Sequence, residues 1–263
     1  MNEIERLPAA SSQAREGAPQ PPLGADVGRP QLFSTIDPCA DCGVREQTLC
    51  GALQPEEMAR MAAITQRVRF KAHEPIFGEG EPAAHVYNVT GGMVKIYKLL
   101  PDGRRQITGF LGVGDFLGMA IGDTYAYSAE AITEARLCRF QRSKLEALLI
   151  AMPQLQRRLF VMASTELCAA QDQMLLLGRK TARERLCSFL LYLSQRAVRS
   201  GQKPSPVLMP MTRADIADYL GLTTETVSRT LTQLKSRGLI ALLPGGKVRL
   251  NDPEALGLSA GVM

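Results

Sequence analysis

Residues 211–250, MTRADIADYLGLTTETVSRTLTQLKSRGLIALLPGGKVRL, constrain this chain more than any other stretch. Thr212 stands where a helix N-cap is wanted, ahead of the short run ADIADYL, in which Ile216 and Leu220 recur one turn apart and face inward. Gly221 supplies a tight turn, Thr223 caps a second helix, and Val227, Leu231 and Leu234 give that helix one apolar face. Thr224, Glu225, Ser228, Arg229 and Thr232 are left on the outside. A helix of this kind, in a helix–turn–helix, can enter the DNA major groove with its N-terminal residues against base edges. Arg229 has the fork that pairs with guanine, and Glu225 can accept from the cytosine amino group. Thr224 and Ser228 complete the candidate base-reading set. Hydroxyls and helix N-termini suit phosphate oxygens, so Thr212, Arg213, Thr223 and Thr226 are the candidate backbone contacts. LIALLPGGKVRL then reads as a hairpin wing turning at Gly245 and Gly246, with Lys247 and Arg249 beside the nucleic-acid backbone. The alternative is a helical hairpin that binds nothing.

Charge supports the reader. The chain of 263 residues carries a net charge of +5, but residues 179–263 hold 13 Lys and Arg against 6 Asp and Glu, a net +7, and residues 1–178 a net −2. A basic domain beside a near-neutral one predicts a polyanionic partner for the basic part alone.

Upstream, RVRFKAHEPIFGEGEPAAHVYNVTGGMVKIYKLLPDGRRQITGFLGVGDFLG alternates short β-branched and aromatic runs with Gly- or Pro-rich turns. Evenly spaced strands of that kind predict an antiparallel β-roll. AEAITEARLCRFQ (129–141) reads as its last strand. From about Gln154 to Leu177 a long helix carries Phe160, Ala163, Leu167, Ala170, Met174 and Leu177 at alternating spacings of 3 and 4, an a/d seam predicted to pair with a second copy. Burial within one chain is the alternative. Leu159, Met162, Ala169 and Leu176 lie on a neighbouring face and are expected to cover the roll. The fold class is therefore α+β. It comprises a disordered tail rich in Pro, Ala and Gly (1–36), a cysteine loop (37–52), a sensory roll (53–152), a dimerisation helix (153–178) and a winged helix–turn–helix (179–263).

No run approaches the eighteen or so apolar residues that span a bilayer, and the first thirty residues lack a signal-peptide apolar region, so the cytoplasm is expected. Cys39, Cys42 and Cys50 nevertheless fall within twelve positions of one loop. Disulfides are rare in the cytoplasm, which shifts the reading toward a metal. Cys168 and Cys187 sit inside helical periods and are expected to pack as small hydrophobes. Two isolated histidines, His73 and His85, and no nucleophile–base pair argue against an enzyme.

Roll, long helix and winged helix–turn–helix, in that order, resemble the cyclic-AMP receptor/FNR superfamily of bacterial transcription regulators, and Glu225, Ser228 and Arg229 match the E-x-x-S-R of its oxygen-responsive FNR branch. QITGF (106–110) and LLLGRKTARERL (175–186) look like the same branch. The resemblance implies a homodimer on double-stranded DNA, a palindrome similar to TTGAT-N4-ATCAA, and contact with RNA polymerase, for which the turn PDGRR (101–105) is one candidate. It also implies a [4Fe-4S] cluster on Cys39, Cys42, Cys50 and Cys138. The C-x2-C-x2-R-x4-C spacing, with Arg45, departs from the shorter enteric form. Tetrathiolate zinc and unliganded cysteines stay open, as does a regulator of nitric oxide, redox state or constitutive type; an iron–sulfur enzyme would need an open iron that four protein thiolates do not leave. Where cyclic-nucleotide members carry an Arg-Ser pair and a Glu, this chain has Tyr127, Ser128 and Met119, which predicts no cyclic nucleotide.

Overall fold

The computed structural model describes residues 31–32, 39, 42–120 and 122–261. Strand β1 (Gln31–Leu32) is followed by 3-10 turns at Arg45–Gln47, Leu49–Ala52 and Pro55–Glu57 and by helix α1 (Met58–Ala62). Eight strands come next: β2 (Thr65–Phe70), β3 (Pro75–Phe77), β4 (His85–Gly91), β5 (Val94–Leu99), β6 (Arg105–Leu111), β7 (Phe116–Leu117), β8 (Ser128–Ala131) and β9 (Ala135–Gln141). Helices α2 (Arg142–Ala151), α3 (Pro153–Arg179) and α4 (Ala182–Arg199) lead to β10 (Val207–Leu208). The chain then runs through α5 (Arg213–Leu220), α6 (Thr224–Ser236), β11 (Ile240–Leu243), β12 (Lys247–Leu250) and α7 (Pro253–Ser259).

The first nine strands form two antiparallel sheets, ordered β1-β2-β9-β4-β7 and β3-β8-β5-β6. Their shared core holds Val68, Phe70, Phe77, Val89, Val94 and Leu137. The segment expected to be one last strand, 129–141, is two. Ile132 N donates to Met93 O (2.8 Å) and Met93 N to Thr133 Oγ1 (3.0 Å), which turns the chain from one sheet into the other. β8 therefore pairs with β3 and β5, and β9 with β2 and β4. Gln31 and Leu32, assigned to the disordered tail, instead add β1 to β2, whose outer edge offers unpaired backbone groups. The rest of the expected tail, 1–30 and 33–36, lies outside the described residues.

α3 starts with Pro153 at its first turn and runs 27 residues, about 40 Å at 1.5 Å per residue. One side is built inward: Leu155 and Leu176 are buried, and Leu159 and Met162 are packed against the apolar cluster of the roll. The other side leaves Phe160, Val161, Leu167, Met174 and Leu175 in the open, and Ala169 and Ala170 are exposed too. Of the expected seam, Phe160, Leu167, Ala170 and Met174 are thus open. Ala163 is half-buried, and Leu177 packs on the C-terminal core because α4 and α5 close around that end of the helix. Cys187 is buried as expected, but Cys168 is exposed, since it falls on the open side of α3.

The C-terminal unit packs α4, α5, α6 and α7 with the sheet β10-β12-β11 around Leu186, Phe189, Ile216, Val227, Leu231 and Leu256. Gly221 ends α5 in the left-handed region (φ +61°), where a Cβ would cost energy.

Candidate functional site

The reading head is fixed by its caps. Thr212 Oγ1 accepts from Asp215 N (3.0 Å) and donates to Asp215 Oδ2 (2.7 Å), while Thr212 N donates to the same oxygen (3.1 Å). This is a reciprocal capping box, so the hydroxyl expected on phosphate is already engaged. Thr223 Oγ1 accepts from Thr226 N (3.2 Å) and shares a bond with Thr226 Oγ1 (3.1 Å). Thr212 and Thr223 are exposed; Arg213 and Thr226 are half-buried. Val227, Leu231 and Leu234 are buried, as their spacing predicts, and Thr224, Glu225, Ser228, Arg229 and Thr232 share the open face. The Glu225 carboxyl is held below the usual range by its own backbone N–H and the Thr223 hydroxyl, which keeps it an anionic acceptor. Lys235, Arg237, Lys247 and Arg249 are exposed at the far end of α6 and on the wing.

The second constellation is the thiol set. Cys138 lies mid-strand in β9, opposite Arg67 of β2 and Asn88 of β4. Cys50 is in the second 3-10 turn, where Thr48 Oγ1 accepts from its N–H (3.3 Å), and Asn88 Nδ2 donates to its Sγ (3.9 Å). Cys39, Cys42, Cys50 and Cys138 all line one enclosed space, together with Arg45, Thr48 and Asn88. The four residues that the resemblance singled out are therefore brought together, from a loop and a central strand. The space is small, about 10 Å³, room for one water.

Burial, then the neighbouring thiols, push Cys50 and Cys138 each up to about 12 from 9.0, so both are neutral thiols at physiological pH. Asn88 Oδ1 and Arg45 Nε are buried there without a hydrogen-bond partner. Four soft sulfur donors and two orphaned polar atoms around one space suit a thiolate-ligated metal group. Among the described residues, no three Cys, His, Asp or Glu side chains are grouped for one metal ion. A zinc with four sulfurs at 2.3 Å needs those sulfurs within about 4 Å of each other, whereas each thiolate of a cubane takes its own iron.

The cysteine loop and the turn that follows it are also fastened to α3. Arg158 Nη2 donates to Glu46 O (3.2 Å), Gln154 Nε2 bonds Glu57 Oε1, and Leu49 and Leu53 share a core with Leu145, Met152 and Leu155.

At the positions compared with a nucleotide site, Tyr127 OH accepts from Gly118 N (2.9 Å), Ser128 Oγ accepts from Glu79 N (2.9 Å), and Met119 is half-exposed. Tyr127 and Met119 line a cavity of about 650 Å³ between roll, α3 and α4. The Arg196 guanidinium there is committed to Asp115, Tyr192 OH and Phe110 O.

Sequence reasoning missed the residues that join the roll to the head. Lys95, Arg105 and Gln106 on β5 and β6 and Arg185 on α4 all bond α5. The available signal was that Gln106 and Arg185 lie in the two family-like stretches for which the sequence offered no role.

Comparison with known proteins agrees with this architecture. A model of the Crp-like helix-turn-helix domain matches residues 184–258, and one of the cyclic nucleotide-binding domain matches residues 67–151. The chain is 43% identical over 215 residues to the nitrogen fixation regulation protein FixK of Bradyrhizobium diazoefficiens, covering 82% of this chain and 90% of that one. It is 45% identical over 213 residues to the transcriptional activatory protein AadR of Rhodopseudomonas palustris, covering 81% and 89%. The solved structure of FixK2 from Bradyrhizobium japonicum matches with a TM-score of 0.69 at 41% identity, covering 74% of this chain and 96% of that one. These relatives are regulators rather than enzymes. With both domains matched in order and relatives above 40% identity along most of its length, the chain belongs to the Crp/FNR family of DNA-binding transcription regulators.

Proposed function

We propose that this chain is a cytoplasmic, homodimeric transcription activator of FNR/FixK type. It governs genes of anaerobic or microaerobic metabolism, reads a palindrome similar to TTGAT-N4-ATCAA, and holds a [4Fe-4S] cluster on Cys39, Cys42, Cys50 and Cys138. One observation carries this reading: four thiols from a loop and a distant strand converge on one space, in a loop fastened to the helix that bears the open apolar stripe. When bound, the cluster supplies an oxygen-labile link between the loop and β9. The chain's own residues do the rest. Arg158 ties the loop, and Gln154 the turn that follows it, to the start of α3, so the loop's position biases the stripe of Phe160, Leu167 and Met174 toward a second copy. The dimer sets two α6 helices about 34 Å apart, one turn of DNA. Arg229, Glu225, Ser228 and Thr224 read bases; Arg213 brings charge to phosphate and the Thr223–Thr226 pair one free hydroxyl proton, while Thr212 reaches phosphate only when its cap bond to Asp215 opens. The roll and head surfaces away from the DNA contact RNA polymerase. No cyclic nucleotide is needed, because Tyr127 and Met119 stand where a cation and a ribose acceptor would be.

A second reading is favoured by the smallness of the thiol space: a regulator of the same family in which the thiols bind no cluster and the dimer is constitutive or redox-controlled. Protein isolated without oxygen separates the two. Four iron and four acid-labile sulfide per chain, lost in Cys50→Ser, with dimerisation and operator footprinting that fall after exposure to air, support the first reading. Absence of sulfide with unchanged dimerisation and footprint rejects it in favour of the second, and one zinc per chain marks a structural site.

A further inference from the structure

The residues that join roll to head form one arrangement around α5. At its N-terminus, Asp215 is 3% exposed and its Oδ1 accepts from Lys95 Nζ (3.0 Å) and Arg105 Nη2 (3.0 Å). Lys95, itself 4% exposed, also meets Glu130 Oε1 (2.9 Å). Arg105 Nε donates to Asp218 Oδ2 (2.9 Å), one turn along α5, and its guanidinium lies 5.5 Å from the Tyr97 ring centroid.

The C-terminal carbonyls of α5 have no partners inside the helix. Three other elements supply them: Gln106 Nε2 bonds Asp218 O (2.6 Å), Gln173 Nε2 of α3 bonds Tyr219 O (2.7 Å), and Arg185 Nη1 of α4 bonds Leu220 O (2.8 Å). Phe110, Phe189 and Tyr219, from β6, α4 and α5, pack as tilted rings beside this end with centroids 4.9–5.9 Å apart. The recognition face of α6 stays open throughout.

We infer that Lys95 and Arg105 of the roll are positioning residues for DNA reading: through Asp215 and Asp218 they hold α5, and with it α6, at a fixed angle to the dimer helix. A buried carboxylate with two cations is a directional joint, because displacing it leaves charges without partners in a dry site. A greasy contact alone would allow sliding. Two heads so fixed can demand one half-site spacing of their operator; two loosely tethered heads cannot. This rests on the proposed palindromic DNA reading, and the test separates the two.

The first measurement is hydrogen exchange on DNA-free full-length protein, for the native chain, Lys95→Met and Arg105→Gln. In both variants, exchange at 94–111 and 213–220 is expected to accelerate together by at least about tenfold, with 224–236 and the far sheet β2-β9-β4 unchanged. A merely structural role would instead speed exchange throughout the head or roll. The second is binding to operators whose half-sites are moved apart or together by one base pair. The native dimer is expected to discriminate between spacings, and the variants to lose at least about tenfold of that discrimination. Uncoupled exchange in the two segments, or full spacing discrimination in both variants, overturns the inference. Should Lys95→Met not fold, Arg105→Gln, on a side chain a quarter exposed, carries both measurements. Coupled exchange together with a native chain that binds no palindrome would overturn the DNA reading and leave the joint standing.

Discussion

Leu167→Ala tests the dimer face with a magnitude that follows from its exposure. The side chain is 59% exposed in the single chain and lies mid-helix between Phe160 and Met174, themselves 72% and 64% exposed. Fully burying a leucine is worth about 1.5–3 kcal/mol, so covering the open part is worth about 1–2 kcal/mol per subunit. Twofold symmetry counts the residue twice, giving about 2–4 kcal/mol per dimer and a dissociation constant about 30- to 800-fold weaker. Because the group is open in the monomer, monomer stability should shift by no more than about 0.5 kcal/mol. Sedimentation equilibrium measures the first quantity, and urea unfolding below the dissociation constant measures the second. Leu258→Ala, at a residue 75% exposed on α7 and away from the stripe, is the control and should change neither. A dimer constant within about twofold of the native value, or a shift matched by Leu258→Ala, would refute the assignment of this face.

Arg229→Ala should weaken operator binding by about 1–3 kcal/mol and relax preference at one base pair, with unfolding unchanged because the side chain is exposed. Competition against single-base operator variants reads this out, and an equal loss on every sequence would make Arg229 a phosphate contact instead. Metal-free protein should lose stability as pH rises. Burial lifts the Cys50 and Cys138 thiols from 9.0 to about 12, so the folded state keeps protons that the unfolded chain releases. Their contribution is whole below pH 9 and drains away between 9 and 12; a urea midpoint flat over that window in native protein, or sloping equally in Cys50→Ser/Cys138→Ser, contradicts it.

The reading head was legible because its signals are local. Thr212, Gly221 and Thr223 act within a few residues of themselves, and the inward set Val227, Leu231 and Leu234 follows from helix period alone. What was illegible is non-local. The corner at Ile132 is made by Met93, some forty residues earlier, and no pattern within 129–141 announces it. α3 is apolar on two neighbouring faces, and only non-local packing of α4 and α5 around Leu177 covers one end of the expected seam. Cys168 fell to the same ambiguity. Arg105, placed by sequence in an exposed turn of the roll, is spent on Asp215 and Asp218, partners more than a hundred positions away.

On the proposed reading, these non-local contacts also give a route from the thiol end to the DNA end. Glu46 meets α3 at Arg158, and Tyr219 meets the same helix at Gln173, fifteen residues or about 22 Å further on. α3 is continuous between them, with no proline after Pro153, so it transmits displacement as a rod rather than through a hinge. A loop released from Arg158 therefore need not send a signal along a path of side chains. It need only alter how α3 meets its mate, and every head fastened to that rod through Gln173 and to the roll through Lys95 and Arg105 is carried with it. The shift obtainable is bounded by the difference in loop binding between paired and unpaired states, and reversing a 1:99 ratio takes about 5.5 kcal/mol. Two charge-assisted hydrogen bonds, Arg158 to Glu46 O in the loop and Gln154 to Glu57 in the turn that follows it, hold this end of α3, each worth about 1.5–3 kcal/mol. Those two bonds alone fall short at typical values, so a full switch must also draw on the apolar contacts of Leu49 and Leu53 with Leu155. Leu49→Ala should then flatten the response to the state of the thiols while leaving the operator affinity of the assembled dimer intact.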